Sequence, residues 1–166
     1  MADSPLARLS RFASRAALAV STAGLSLMTL IIGWQVFARY VLNASPSWSE
    51  QAALLLMLYF LLFAAAVGVR EGFHIRITLL EDSLAPERRK WLRLVNHVMV
   101  GLFGFAMAAG GIELIGITAA HTISTLGISR AFAYVPMAGA GLLIVFFSLE
   151  HLLTEACGQR VQPIWS

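Results

Sequence analysis

Hydrophobic positions in this chain come in long unbroken runs, without the three-to-four spacing that marks a helix with one wet face. Between Glu50 and Arg70 no charged residue occurs, and the stretch LLLMLYFLLFAAAVGV is apolar on every side. A helix of that kind is covered all round, by protein or by lipid. Four stretches are long enough to cross a hydrocarbon layer of ~30 Å, which takes about 20 apolar residues in a helix. They fall at about 16–37, 51–69, 94–115 and 132–149. The pattern predicts an all-α integral membrane protein, one membrane domain over 1–166 with four transmembrane helices.

The connections differ in kind. Residues 38–49 predict a short hairpin containing Pro46, and 117–131 a modest loop with His121 and Arg130. The segment 70–85 mixes Ile75, Ile77, Leu79, Leu80 and Leu84 with His74, Arg76, Glu81 and Asp82, so a short element lying at the membrane interface is expected there. Pro86 suits the first turn of a helix, where its missing N–H costs nothing. A third helix from Pro86 to Ile115 would be about 45 Å long and must tilt or project beyond the bilayer.

Composition agrees with this pattern. Of 166 residues, 58% are hydrophobic and 13% charged, against roughly 45–50% and ~25% in soluble domains. Too few polar side chains remain to cover the surface in water. A net charge of +3 makes no case for a nucleic-acid partner, and the single cysteine, Cys157, allows neither an internal disulfide nor a cysteine-based zinc site. There is no phosphate-binding glycine loop, no Gly-x-Ser-x-Gly and no His-Glu-x-x-His, so an enzyme is not expected. No cofactor is expected either.

The placement of the cations sets the expected orientation. With the N-terminus in the cytoplasm, all of the 12 Lys and Arg except Arg39 and Arg130 fall inside, as the positive-inside rule requires. Both termini are therefore expected to be cytoplasmic. Arg8, Arg11 and Arg15 precede the first span as in a signal peptide, but the apolar run exceeds the ~7–15 residues of a signal core, so a retained anchor is expected. Trp34, Tyr40, Trp48, Tyr134 and Trp91 fall at the boundaries where an aromatic belt forms, whereas Tyr59 lies in mid-span.

Several positions carry candidate chemistry. Thr22, Ser26, Thr29 and Gly33 form one stripe of small residues, and Gly101, Gly104, Ala108 and Gly111 another. Such stripes are packing seams, within the chain or toward a second protein. Neither of the first two spans holds a charge, and Glu113 falls near the outer end of the third. Coupled carriers keep an ionisable side chain at membrane depth, so transport by this chain alone is disfavoured. Ser47 and Glu50 have the spacing of a helix capping box; Glu50 could instead pair with Arg39 or with a partner's cation. His97 and His151 could together ligate a b-type haem, as in a respiratory anchor subunit, or be polar boundary residues.

From Val36 to Leu80 the sequence resembles the small membrane subunit of tripartite ATP-independent periplasmic (TRAP) transporters, the DctQ-like family. The matching residues are Arg39-Tyr40 at the close of the first helix, Trp48-x-Glu50 at the opening of the second, and Arg70-x-Gly72-x-His74-Ile75 after it. Gln51 and Thr78 stand where relatives often have acids. The resemblance implies a multi-pass protein of the bacterial inner membrane, surrounded by lipid. It would brace a large DctM-like permease while a periplasmic solute-binding protein delivers an organic acid and sodium drives uptake. Arg39, Tyr40, Trp48, Glu50, Arg70, Gly72 and His74 are accordingly expected to be architectural or partner-interface residues, with no catalytic role.

Overall fold

The computed structural model describes residues 5–44, 46–72 and 86–156. Four long helices dominate it: α1 (Pro5–Tyr40), α2 (Ser49–Glu71), α3 (Pro86–Thr118) and α4 (Val135–Ala156). Each contains a stretch apolar and long enough to cross a membrane, so the chain is an all-α, four-span membrane protein. Helix α1 starts well before the apolar stretch, because Pro5 opens it and the Ala, Leu and Arg residues that follow are strong helix formers. Arg8, Arg11 and Arg15 are thus carried on the helix itself. Pro86 opens α3, whose 33 residues extend about 50 Å. The interfacial element expected at 70–85 lies, past Gly72, outside the described residues.

Helix α1 packs on α2, α2 on α4 and α4 on α3, so the helices stand in the row α1–α2–α4–α3. A row has two broad faces and little interior, which explains why Leu30 and Phe12 of α1 and Leu102, Phe103 and Phe105 of α3 stay exposed. In water that surface would be untenable; in lipid it is ordinary. The core is small and lies between α2 and α4, where Ala66, Val69, Ala140, Ile144 and Phe147 are buried.

The seams are made by small residues, as association in lipid requires. A Cβ on Gly141 would lie 2.6 Å from the Ala108 amide nitrogen, and one on Gly111 2.7 Å from that of Ala138. Only glycine lets the α3 and α4 backbones approach so closely. The expected α3 stripe is therefore an internal seam. The expected α1 stripe is not: Thr22, Ser26, Thr29 and Gly33 are exposed, and Thr22 and Thr29 hydroxyls turn back onto carbonyls of their own helix. The buried α1 line is Ser10, Ser14, Ala17, Ser21 and Gly24, one position earlier on the helical wheel. Both lines keep the three-and-four spacing and both are small, so spacing alone could not choose between them.

At the end opposite the helix termini Pro5 and Ala156, two loops close the bundle; we call this the hairpin end and the other the base. The α3–α4 connection carries a two-stranded antiparallel hairpin, β1 (Thr122–Ile123) with β2 (Ile128–Ser129), and a 3-10 turn over Arg130–Ala133. Tyr59, out of place in an aromatic belt, donates its hydroxyl proton to the Phe132 carbonyl at 3.1 Å. That contact gives a mid-span phenol its partner and ties the turn to α2.

Candidate functional site: a polar knot at the base

Three helices bring polar and charged side chains together at the base. Helix α2 delivers Arg70 in its last turn, α1 delivers Ser10 in its second turn, and α4 delivers Glu150 and His151. The Arg70 Nε–H donates to Ser10 Oγ at 2.7 Å, and Ser10 Oγ–H donates to Glu150 Oε2. Arg70 Nε also lies 3.6 Å from Glu150 Oε2, with the two side chains 1% and 2% exposed. A second guanidinium nitrogen reaches Glu71 Oε1 at 2.8 Å. Burial of a charge is tolerated only when it is paired and hydrogen-bonded, and here Arg70 donates to the Glu71 carboxylate and the Ser10 hydroxyl while its charge lies against Glu150.

Backbone chemistry positions Arg70. Gly72 ends α2 in the left-handed region, with φ 73°, and its amide closes the last turn on the Gly68 and Val69 carbonyls. This conformation is strained for any residue with a Cβ. Polar contacts then reach the fourth helix. His151 Nε2 stands 3.0 Å from the Arg70 carbonyl, which can only accept, so this nitrogen carries the proton. The His151 ring stacks on His97 of α3, centroids 4.7 Å apart and planes 7° apart. Beside them Arg93 of α3 pairs with Glu155 of α4 at 2.7 Å.

This geometry does not suit haem. Axial imidazoles must aim ring nitrogens at one iron from opposite sides, whereas His97 and His151 face each other plane to plane and His151 Nε2 is already committed to a carbonyl. Among the described residues no three His, Cys, Asp or Glu side chains gather as a metal site.

The residues expected at the hairpin end are placed differently. Arg39 lies in the last turn of α1 and Glu50 in the first turn of α2, both exposed, and no ion pair joins them among the described residues. Tyr40 and Trp48 are 76% and 41% exposed. The capping box is not formed. Helix α2 starts one residue later than that spacing assumed, at Ser49 after Trp48, with no side-chain cap; the Ser49 hydroxyl instead donates to the Pro46 carbonyl at 2.8 Å. His74 lies outside the described residues. Ser10, Glu71 and Glu150 were missed from sequence, and His151 was singled out there only as a haem ligand or a boundary residue. A signal existed: α2 and α4 run in the same direction in an up-and-down bundle, so Arg70 and Glu150 had to end at the same membrane face.

The family described as "Tripartite ATP-independent periplasmic transporters, DctQ component" matches residues 28–158. The chain is 28% identical over 128 residues to the sialic acid TRAP transporter small permease protein SiaQ of Vibrio cholerae, covering 77% of this chain and 74% of that protein. It is 21% identical over 145 residues to a putative TRAP transporter small permease protein of Haemophilus influenzae, covering 86% and 88%. A second Haemophilus influenzae protein of the same description is 20% identical over 146 residues.

Proposed function

Since the chain belongs to the DctQ component family of tripartite ATP-independent periplasmic transporters, we propose that this small permease subunit acts as a fixed brace for a large DctM-like permease in the bacterial inner membrane. In this reading a periplasmic solute-binding protein delivers the solute, an organic acid moves with sodium through the large subunit, and both ends of this chain lie in the cytoplasm. The placement of polarity carries the proposal. Among the described residues the charged side chains sit at or near the helix ends, at the base or close to the hairpin end, and no ionisable pair lies midway where a moving substrate would need one. A row of four helices knotted at one end and apolar on both broad faces suits a scaffold that rests against a larger membrane protein.

A sialic acid transporter subunit among the relatives supports an organic acid as the solute class. Arg39, Tyr40, Trp48 and Glu50, exposed at the hairpin end, are proposed to meet the partner or the headgroup layer there. Arg70 and Gly72, with His74 beyond them, are proposed to set the architecture of the base. Co-expression with a tagged large permease and purification in mild detergent tests the reading: the two should leave the column in fixed ratio. Recovery of the large subunit free of this chain would contradict it.

A further inference from the structure

At the hairpin end, the first half of α2 and the connection from β1 to the 3-10 turn enclose a groove of about 500 Å³, within the ~300–1,000 Å³ usual for ligand sites. Its walls differ in chemistry. On α2, Leu54 and Leu58 are 52% and 39% exposed, and they form an apolar strip that descends from the first turn of the helix. Facing them, Ser124, Thr125, Arg130 and Tyr134 contribute hydroxyls and a guanidinium. The Arg130 main-chain amide donates to the His121 carbonyl at 2.8 Å, whereas among the described residues its side chain has neither hydrogen bond nor ion pair.

A guanidinium at the edge of a bilayer with no anion of its own draws one from its surroundings. Phosphate oxygens match its fork of donors in a paired, charge-assisted contact, and the neighbouring hydroxyls can donate to the oxygens that remain. The apolar strip adds a second requirement. Whatever covers it must be polar at the helix end and apolar about 10 Å deeper, the depth from the first turn of α2 to Leu58, which is the order of groups along a lipid standing upright in the membrane. We propose that this groove binds one anionic phospholipid, its phosphodiester on Arg130, Ser124 and Thr125 and one acyl chain along Leu54 and Leu58.

The test is native mass spectrometry of the purified full chain in detergent with dioleoylphosphatidylglycerol, and with dioleoylglycerol or inorganic phosphate as competitors. One phosphatidylglycerol should stay bound. Arg130→Gln should lower its retention by about 10-fold, the scale of one lost charge-assisted contact, and Arg130→Lys by less, while Arg15→Gln, an exposed cation toward the base, should leave it unchanged. A melting temperature equal to the parent's confirms that each variant is folded. Neither dioleoylglycerol, which lacks the phosphate, nor inorganic phosphate, which lacks the chain, should displace the lipid. Equal retention by Arg130→Gln and the parent overturns the proposal, as does displacement by phosphate alone, which would mark a simple anion site. Loss of the large permease from the Arg130→Gln complex with lipid retention unchanged would assign the groove to a protein contact and equally overturn it.

Discussion

Arg70 and Glu150, on different helices, are joined through one hydroxyl: Ser10 accepts from the guanidinium of the first and donates to the carboxylate of the second. Three helices therefore meet on a single serine oxygen. The arrangement leaves no room for partial loss, because each group is nearly buried and each satisfies another.

Removing one member should cost more than the pair contributes. Arg70→Met leaves Glu71 and Glu150 without their shared cation, and breaking a buried pair in this way costs about 3–5 kcal/mol. Thermal unfolding in detergent should show a large fall in midpoint for Arg70→Met and for Glu150→Leu singly. The double variant, with no charge left unpaired between them, should recover part of it. Additive losses in the double variant would mean that the two residues do not act on each other.

The seam between α3 and α4 predicts a contrast between glycines. Gly141→Ala forces a methyl toward the Ala108 backbone, and overpacking of this kind costs about 1–3 kcal/mol. Gly33→Ala meets nothing within 4 Å and replaces a poor helix former, so it should be neutral or stabilising by up to ~1 kcal/mol. The same melting assay reads both. A destabilised Gly33→Ala in the isolated chain would contradict the exposed placement of that stripe.

Much of this molecule was legible in the sequence. Runs such as LLLMLYFLLFAAAVGV announce a span because a helix of that length crosses lipid with its backbone satisfied internally, and Gly104 and Gly111 of the expected stripe do mark close approach. What stayed hidden depended on rotation and depth. The buried line on α1 differs from the expected one by a single position, and Ser47 missed the cap because α2 begins one residue later. Glu150 and His151 read as ordinary boundary residues, since nothing within α4 reveals that Arg70 of α2 ends beside them. Topology could have revealed it; local pattern could not.

At the hairpin end, Glu50 neither caps α2 nor pairs with Arg39, and among the described residues its carboxylate has no partner within the chain, which leaves it for a partner protein. Glu50→Gln should leave the unfolding free energy of the isolated chain within about 0.5 kcal/mol of the parent, as for an exposed substitution. Recovery of the large permease should nevertheless fall. Trp48→Ala should weaken the same association, because an exposed indole at the boundary offers large contact area and a polar N–H. Full assembly by both variants would remove this end from the interface.

Orientation is open to direct labelling. In a Cys157→Ser background, Ala44→Cys in the α1–α2 connection should react with a membrane-impermeant thiol reagent in intact cells, and Ser83→Cys should not, given the bias of Lys and Arg toward the other side. The reverse pattern would place both termini outside and move Arg70 to the periplasmic face.

The central claim is that this chain braces a transporter and does not itself carry solute. Its most direct test is uptake of a panel of radiolabelled carboxylic acids into liposomes under a sodium gradient, with the chain alone and with its large permease and solute-binding protein. The account predicts no uptake by the chain alone and sodium-dependent uptake by the full set, lost when this chain is left out. Substantial sodium-dependent uptake by the isolated chain would contradict it.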